Sequence, residues 1–537
     1  MKKKRKKESS IKTLGHYFRT LAQATGTSRI TGFIRDALNA SIFGSGIFSD
    51  AYFTAFRIPN LFRDFLGEGS LNSAFLPTLS KSLREKGNED AIELLNQVFS
   101  LLLVLVLIIV ILGIIFAPLI VQVLARGFML NPKKYQLTIA LTRILFPIIL
   151  FVSFAALWMS FLNAHYDFKV SAYAPVMMNL VLIGTGVCFW IFFKKNIQSG
   201  NVNLIFIWSM ATVAGLLLQW IIQVPQVRKY GVKIKFSWPP KHPGVFKMIQ
   251  MMIPAVISSS IFQINFIINQ FFASYLKNGY VSDLYYANRW MQLPLGVFGV
   301  SIAQVVFPLL AHQAAANATV ATSDTLTDAV ESSIAIMLPS IAGLWIMSYP
   351  VCNLAFHHGQ FNQQATLYVA EATCLYASGL LFYTMIKLLV PAYYSFHFTR
   401  WPLYASISSV SVNLIINLLA FLYISNEHTK FLILALSTAL GALANVIFLI
   451  IGLKKINLKI KWTKIKLEIF KITFATVVMA FLAWEALRIC NQYHGWGNSI
   501  VSVFIPIAVG SGVYYSLLKI LHVESLSWIF RTPKKKF

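Results

Sequence analysis

The side chains able to do chemistry here are cations and carboxylates set in otherwise apolar stretches. Arg19, Arg29, Arg35, Asp36, Asp50, Arg57, Arg63, Asp64 and Glu68 crowd the N-terminal region, and Arg289 and Lys387 follow in later apolar runs. An ionised side chain at the centre of a membrane helix costs about 2.5–3.5 kcal/mol, so these groups must face a paired or wet interior. Seven-residue intervals link Arg29 to Asp36, and Asp50 to Arg57 and Asp64; two helical turns put each set on one face. Pairing does not absorb the positive charge, because Arg19, Arg29, Arg35, Arg57, Arg63, Arg289 and Lys387 outnumber Asp36, Asp50, Asp64, Asp283 and Glu68. Arginine keeps its proton, and its planar fork gives phosphate oxygens two parallel hydrogen bonds, so the expected ligand carries phosphate or another anion. A plainer reading puts Arg19 and Arg57 near helix ends, where long side chains reach the interface, and has Asp36 and Asp64 only neutralise neighbours.

Gly32, Gly67, Gly69, Pro59, Pro77, Pro294 and Pro308 interrupt the same stretches. Such breaks are tolerated in lipid where the freed backbone lines protein or water, so they mark candidate cavity and hinge positions, with packing as the simpler alternative. Motifs for bond-breaking chemistry are missing: there is no HExxH, Walker loop, nucleophile elbow or dinucleotide fingerprint. Adjacent His357 and His358 have diverging side chains and no third ligand close in sequence, so neither a metal nor another cofactor is expected. Cys188, Cys352, Cys374 and Cys490 lack paired spacing and read as buried thiols. A carrier is expected, not an enzyme.

Composition identifies the elements that must hold these groups. Of 537 residues, 57% are apolar and 12% charged, with a mean hydropathy of +0.65. A soluble chain has roughly a quarter of its residues charged, so the solvent is lipid and the fold is all-α and polytopic. Cutting at polar and Pro/Gly-rich breaks, with about 20 residues per crossing, yields fourteen transmembrane helices. Three of them, at about 13–41, 48–73 and 284–312, carry enough charge to score poorly on hydropathy. Lys plus Arg exceed Asp plus Glu by 46 to 19. The surplus gathers in the leader, the loop Arg228 to Lys247, the loop Lys454 to Lys471 and the tail from Arg531, which places these parts and both termini in the cytoplasm. The leader MKKKRKK precedes His16, Arg19 and Gln23, not the apolar core of a secretory signal. Its charge reads as a topology determinant in contact with membrane lipids, and no nucleic acid is expected as a partner.

Two echoes suggest a duplication. SDAYF at Ser49 recurs as SDLYY at Ser282, followed at similar distance by AFLPTLS and VVFPLLA, and Asn179-Leu180 has a counterpart in Asn413-Leu414. The expected organisation is a basic leader (1–12), an N-lobe of six spans (13–229), a linker (230–244) and a C-lobe of six spans (245–455). A basic linker (456–471), two C-terminal spans (472–524) and a basic tail (525–537) complete it. Repeated halves are a common transporter architecture with the substrate between them.

The stretch from Ser28 to Ser80, containing SRITGFIRD, PNLFRD and GEGS, resembles the N-terminal signature of the MurJ/MviN family, and YYANRWMQLPLG from Tyr285 resembles its second-half signature. MIKLLVPAYYSF, Met385 to Phe396, and the fourteen spans extend the likeness over nearly the whole chain. The family lies in the multidrug, oligosaccharidyl-lipid and polysaccharide exporter superfamily. Membership implies a flippase of the bacterial inner membrane that moves lipid II, the undecaprenyl-diphosphate-linked peptidoglycan precursor, to the outer leaflet, with cell-division and cell-wall synthesis proteins as candidate partners. The resemblance maps the family's cavity arginines onto Arg29, Arg35, Arg63 and Arg289, with Asp36 orienting Arg35, and Lys387 joins them as a candidate on the charge argument. Ser28, Asp50, Glu68 and Asn288 are supporting positions. Two departures stand out: Asn288 replaces a carboxylate beside Arg289, and span seven offers only Gln263, Asn265 and Asn269 where some relatives hold sodium with an Asp. The competing functions are export of another anionic lipid-linked oligosaccharide, drug export, a membrane enzyme acting on lipid-linked sugars, and a structural division protein.

Overall fold

The computed structural model describes residues 2–66, 70–492 and 498–523, and these form helices and turns with no strand among them. Gly67, Glu68, Gly69 and the tail from residue 524 lie outside the described residues, as do the side chains of Arg19 and Asp64. Among the described residues ten helices are long and apolar enough to cross a membrane, and eleven if Gln363–Ala377 and Leu380–Ser395, bent by 41°, count as one span. Three more helices, Lys2–Phe43, Ile47–Leu66 and Pro243–Ala273, occupy the other expected spans. The segment from 284 was expected to score poorly but is among the ten, because Tyr280–Ala315 gathers its charges before Trp290 and is apolar from Met291 onward. Gly32 and Pro59, read as candidate breaks, sit inside unbroken helices.

Packing divides the chain into two compact units, Met1–Val281 with Gly359–Phe361, and Ser282–His358 with Asn362–Phe537. Helix Pro243–Ala273, which the sequence places at the head of the second lobe, packs inside the first unit against Ser70–Glu85 and Ile47–Leu66. In the second unit the C-terminal helices Trp462–Asn491 and Asn498–Ile520 lie on Thr319–Phe356.

Each unit repeats the other's local devices. Left-handed residues occur in pairs at matching places: Gly87 and Asn317, Tyr166 and His397, Gly231 and Asn457. After the last of these, an extended segment in each unit is tied to a helix face. Asn96 Oδ1 accepts from the Lys235 amide at 3.2 Å and Ser100 Oγ from that of Ser237 at 2.8 Å. In the second unit Ser323 Oγ accepts from the Lys459 amide at 3.2 Å and Thr327 Oγ1 from that of Lys461 at 3.1 Å. The sequences involved, VKIKF and LKIKW, are a third echo that the sequence reading passed over. Side-chain acceptors replace the ladder partners that the extended backbone lacks.

Helices gain little from the hydrophobic effect by meeting in lipid, so their association depends on close approach and interlocking. Gly215 and Gly441 supply it at corresponding crossings. A Cβ on Gly215, in helix Asn203–Ile221, would lie 2.8 Å from Met178 Cα; one on Gly441, in helix Glu427–Gly452, would lie 2.9 Å from the Ser409 carbonyl oxygen. Buried aromatic side chains fill the wider gaps, with Phe99 stacked on Trp158 at 5.6 Å between centroids. Gly215→Ala and Gly441→Ala are each expected to lower the thermal midpoint of the purified protein, since overpacking costs about 1–3 kcal/mol. Gly184→Ala, whose Cβ would meet nothing within 4 Å, should leave the midpoint unchanged or higher; equal loss in all three would refute the close-approach argument.

Candidate functional site

Helix Lys2–Phe43 presents Ser28, Arg29, Arg35 and Asp36 in different environments. Arg29 is exposed and Ser28 half-buried. Arg35 and Asp36 are buried, at 8% and 3% exposure. Arg35 Nε and Nη2 donate to Asp36 Oδ1 at 3.0 and 2.7 Å, and Nη1 donates to Asn179 Oδ1 at 3.0 Å. Asn179, on helix Val176–Phe192, in turn donates to the Ser28 carbonyl at 3.2 Å and to Thr31 Oγ1 at 3.1 Å. Asp36 thus orients Arg35 and offsets its charge locally, and Asn179 joins Ser28 to the pair.

Helix Ile47–Leu66 carries the next group. Asp50 is fully buried, and its Oδ2 accepts from Lys134 Nζ at 2.6 Å and from the Gly279 amide at 2.8 Å. Lys134 is buried too; Nζ donates to Asn278 Oδ1 at 3.2 Å and stands 4.0 Å over the Phe128 ring. Gly279 adopts φ +102°, and a Cβ there would lie 2.4 Å from Ser45 Oγ, so only glycine brings this amide to the carboxylate. Asp50 is therefore one partner of a buried ion pair that fastens the turn after helix Pro243–Ala273. The sequence reading missed Lys134 because NPKKYQ, with Asn131 capping and Pro132 opening helix Pro132–Leu145, looks like an exposed loop. Arg57, read as reaching to the interface, has its guanidinium 4.0 Å over the Phe266 ring, beside a hydrogen bond of 2.8 Å from Gln270 Nε2 to Thr54 Oγ1. Arg63 is half-buried.

In the second unit Arg289 lies on helix Tyr280–Pro294, which a π turn at Leu295–Gly299 follows. Its Nη2 donates to Tyr285 Oη at 2.6 Å, and the guanidinium stands 5.0 Å over the same ring. Asn288 is engaged by the Gln292 amide one turn on. Tyr285 thus fixes the position of the Arg289 guanidinium through both its hydroxyl and its ring. Lys387, on helix Leu380–Ser395, is exposed. The structure thus joins Ser28, Arg35 and Asp36 in one network, gives Asp50 a separate one, and sets Asn288, Arg289 and Lys387 in the other unit.

The family model described as lipid II flippase MurJ matches residues 39–505. This chain belongs to the MurJ family. A probable lipid II flippase MurJ of Buchnera aphidicola is 30% identical, over 94% of this chain and 96% of its own length. The solved lipid II flippase MurJ in an inward closed conformation superposes with a TM-score of 0.75 at 25% identity, covering 94% of this chain and 98% of that one. A multidrug resistance MATE transporter shares the fold at 13% identity. Its inward-facing form gives a TM-score of 0.64 (80% of this chain, 95% of that one), and its outward-facing form 0.52 (82% and 96%).

For this MurJ chain the buried pair makes a direct stability prediction. Lys134→Met strands an unpaired carboxylate and should destabilise the protein by about 3–5 kcal/mol, as should Asp50→Ala for the ammonium. The double variant, which buries neither charge, should recover much of the loss. Additive losses in thermal midpoint would show that the two side chains do not interact.

Proposed function

We propose that this MurJ protein carries lipid II from the cytoplasmic to the outer leaflet by alternating access. Its lobes would span 13–229 and 245–455, with helices 472–524 appended and both termini in the cytoplasm of a bacterial inner membrane. The observation that carries the reading is the family match across most of the chain, together with the arginines that the helices carry at the family's signature positions. A diphosphate moving through hydrocarbon must leave its hydration shell, and arginine replaces the lost hydrogen bonds pairwise. Arg29 and Arg289 would bind the diphosphate, with Arg35, held by Asp36 and Asn179, shaping the site near Ser28. Arg63 and Lys387 would extend the cationic surface, and Glu68 is assigned a supporting role by resemblance alone. The polyprenyl tail would stay in lipid while the lobes rock. The protein breaks no bond in this scheme and holds no metal or cofactor. Cell-wall synthesis and division proteins are proposed partners.

The superfamily fold supports a rocking cycle, since MATE relatives adopt both inward- and outward-facing forms. Export of another anionic lipid-linked oligosaccharide would use the same cations, so the test is direct binding. Purified protein should retain lipid II more tightly than undecaprenyl phosphate. Arg29→Ala and Arg289→Ala should each weaken lipid II roughly tenfold to a hundredfold, the worth of a lost charged hydrogen bond, and should fail to rescue cells depleted of their own flippase. Asn288→Asp should also weaken binding, because a carboxylate beside Arg289 competes with the diphosphate. Equal affinity for both lipids, unchanged by the alanines, would rule out diphosphate recognition by these residues.

A further inference from the structure

The two units contain the same extended segment after a left-handed turn, yet its surface differs between them. In the second unit, Leu458 and Ile460 are buried, at 0% and 8% exposure. Lys461 pairs with Asp324 at 2.5 Å and Lys464 with Asp328 at 2.7 Å. Trp462, the counterpart of Phe236, stays 45% exposed, and Lys459, the counterpart of Lys233, is exposed. In the first unit, Ile234, Phe236 and Trp238 are 42%, 61% and 51% exposed. Lys233 and Lys235 are exposed between them, and among the described residues no carboxylate lies within salt-bridge distance of either.

We propose that the segment 233–241 is a docking strip for anionic phospholipid headgroups on the basic side of the membrane, cytoplasmic in the orientation proposed above. Three observations carry it. The strip is held rigid, since Asn96 Nδ2 also donates to the Lys233 carbonyl at 3.1 Å, and Gln97 Oε1 accepts from the amides of Lys241 and His242 at 2.7 Å each. It lies at the right depth: it bonds to Asn96, Gln97 and Ser100, where helix Asn88–Ile115 turns apolar from Val98. Its chemistry matches an interface, where aromatic rings settle at headgroup level and lysines gain about 1 kcal/mol each from an anionic surface. In the matching segment of the second unit the counterpart of Ile234 is buried and that of Lys235 is paired with Asp324, so Lys461 serves as the internal control. The proposal is independent of which substrate the protein carries.

The experiment uses the purified full chain in neutral detergent, titrated with phosphatidylglycerol, phosphatidylcholine or inorganic phosphate, and follows lipid adducts by native mass spectrometry together with the thermal midpoint. Phosphatidylglycerol should form adducts and raise the midpoint, less so as salt increases, while phosphatidylcholine and phosphate should do neither. Lys233→Gln with Lys235→Gln should weaken phosphatidylglycerol roughly tenfold to thirtyfold, whereas Lys461→Gln with Lys464→Gln should change it less than twofold. Phe236→Ser with Trp238→Ser, which leaves the charge intact, should weaken it as well. Equal retention of the two lipids, equal loss in both lysine pairs, or a midpoint rise with phosphate alone would overturn the assignment.

Discussion

A guanidinium at membrane depth cannot discard its proton, and most of this architecture is arranged around that constraint. Each such cation needs a carboxylate, an aromatic face, a neutral polar partner or a ligand. All three kinds of protein partner occur: Asp36 for Arg35, the Phe266 ring for Arg57, and the hydroxyl and ring of Tyr285 for Arg289. A carboxylate offsets the charge and orients the side chain, and a ring or hydroxyl holds the side chain in place.

The same logic separates fastening from binding. Asp50 and Lys134 cancel each other completely inside the first unit, and Gly279 and Asn278 complete their hydrogen bonds. Nothing of that pair is left to attract an anion. Its value is positional, since it ties the turn after helix Pro243–Ala273 to helix Ile47–Leu66. Asp50 and Asp36 look alike in sequence, each one acid among arginines, but they answer different cations.

Local devices that repeat in the two units account for much of the rest. Paired left-handed turns, paired glycine crossings and paired extended segments record a common plan in the two units. The differences fall on charge. In one copy of the extended segment Lys461 faces Asp324 and Ile460 is buried, while in the other Lys233, Ile234 and Lys235 are open. Backbone devices persisted because close approach and hydrogen bonding in lipid leave little freedom, whereas exposed side chains were free to specialise.

Several features were legible from residue order alone. Apolar runs of spanning length, the one-sided basic loops, the SDAYF and SDLYY echo and the arginine-bearing signatures are local patterns, and the polytopic helical fold and the family follow from them. Periodicity put Arg29 and Asp36 on one face, and the pairing of Asp36 with Arg35 came from the family resemblance. Lys134 and Asn179 were different: each meets its partner across more than eighty residues of chain, and a lysine beside a proline in a polar loop carries no local mark of burial. The packing of helix Pro243–Ala273 against Ser70–Glu85 and Ile47–Leu66 was equally hidden, since those partners lie far from it in the chain. Spacing along a helix is fixed by covalent geometry, but which cation answers which carboxylate depends on surfaces that meet only when the chain is folded.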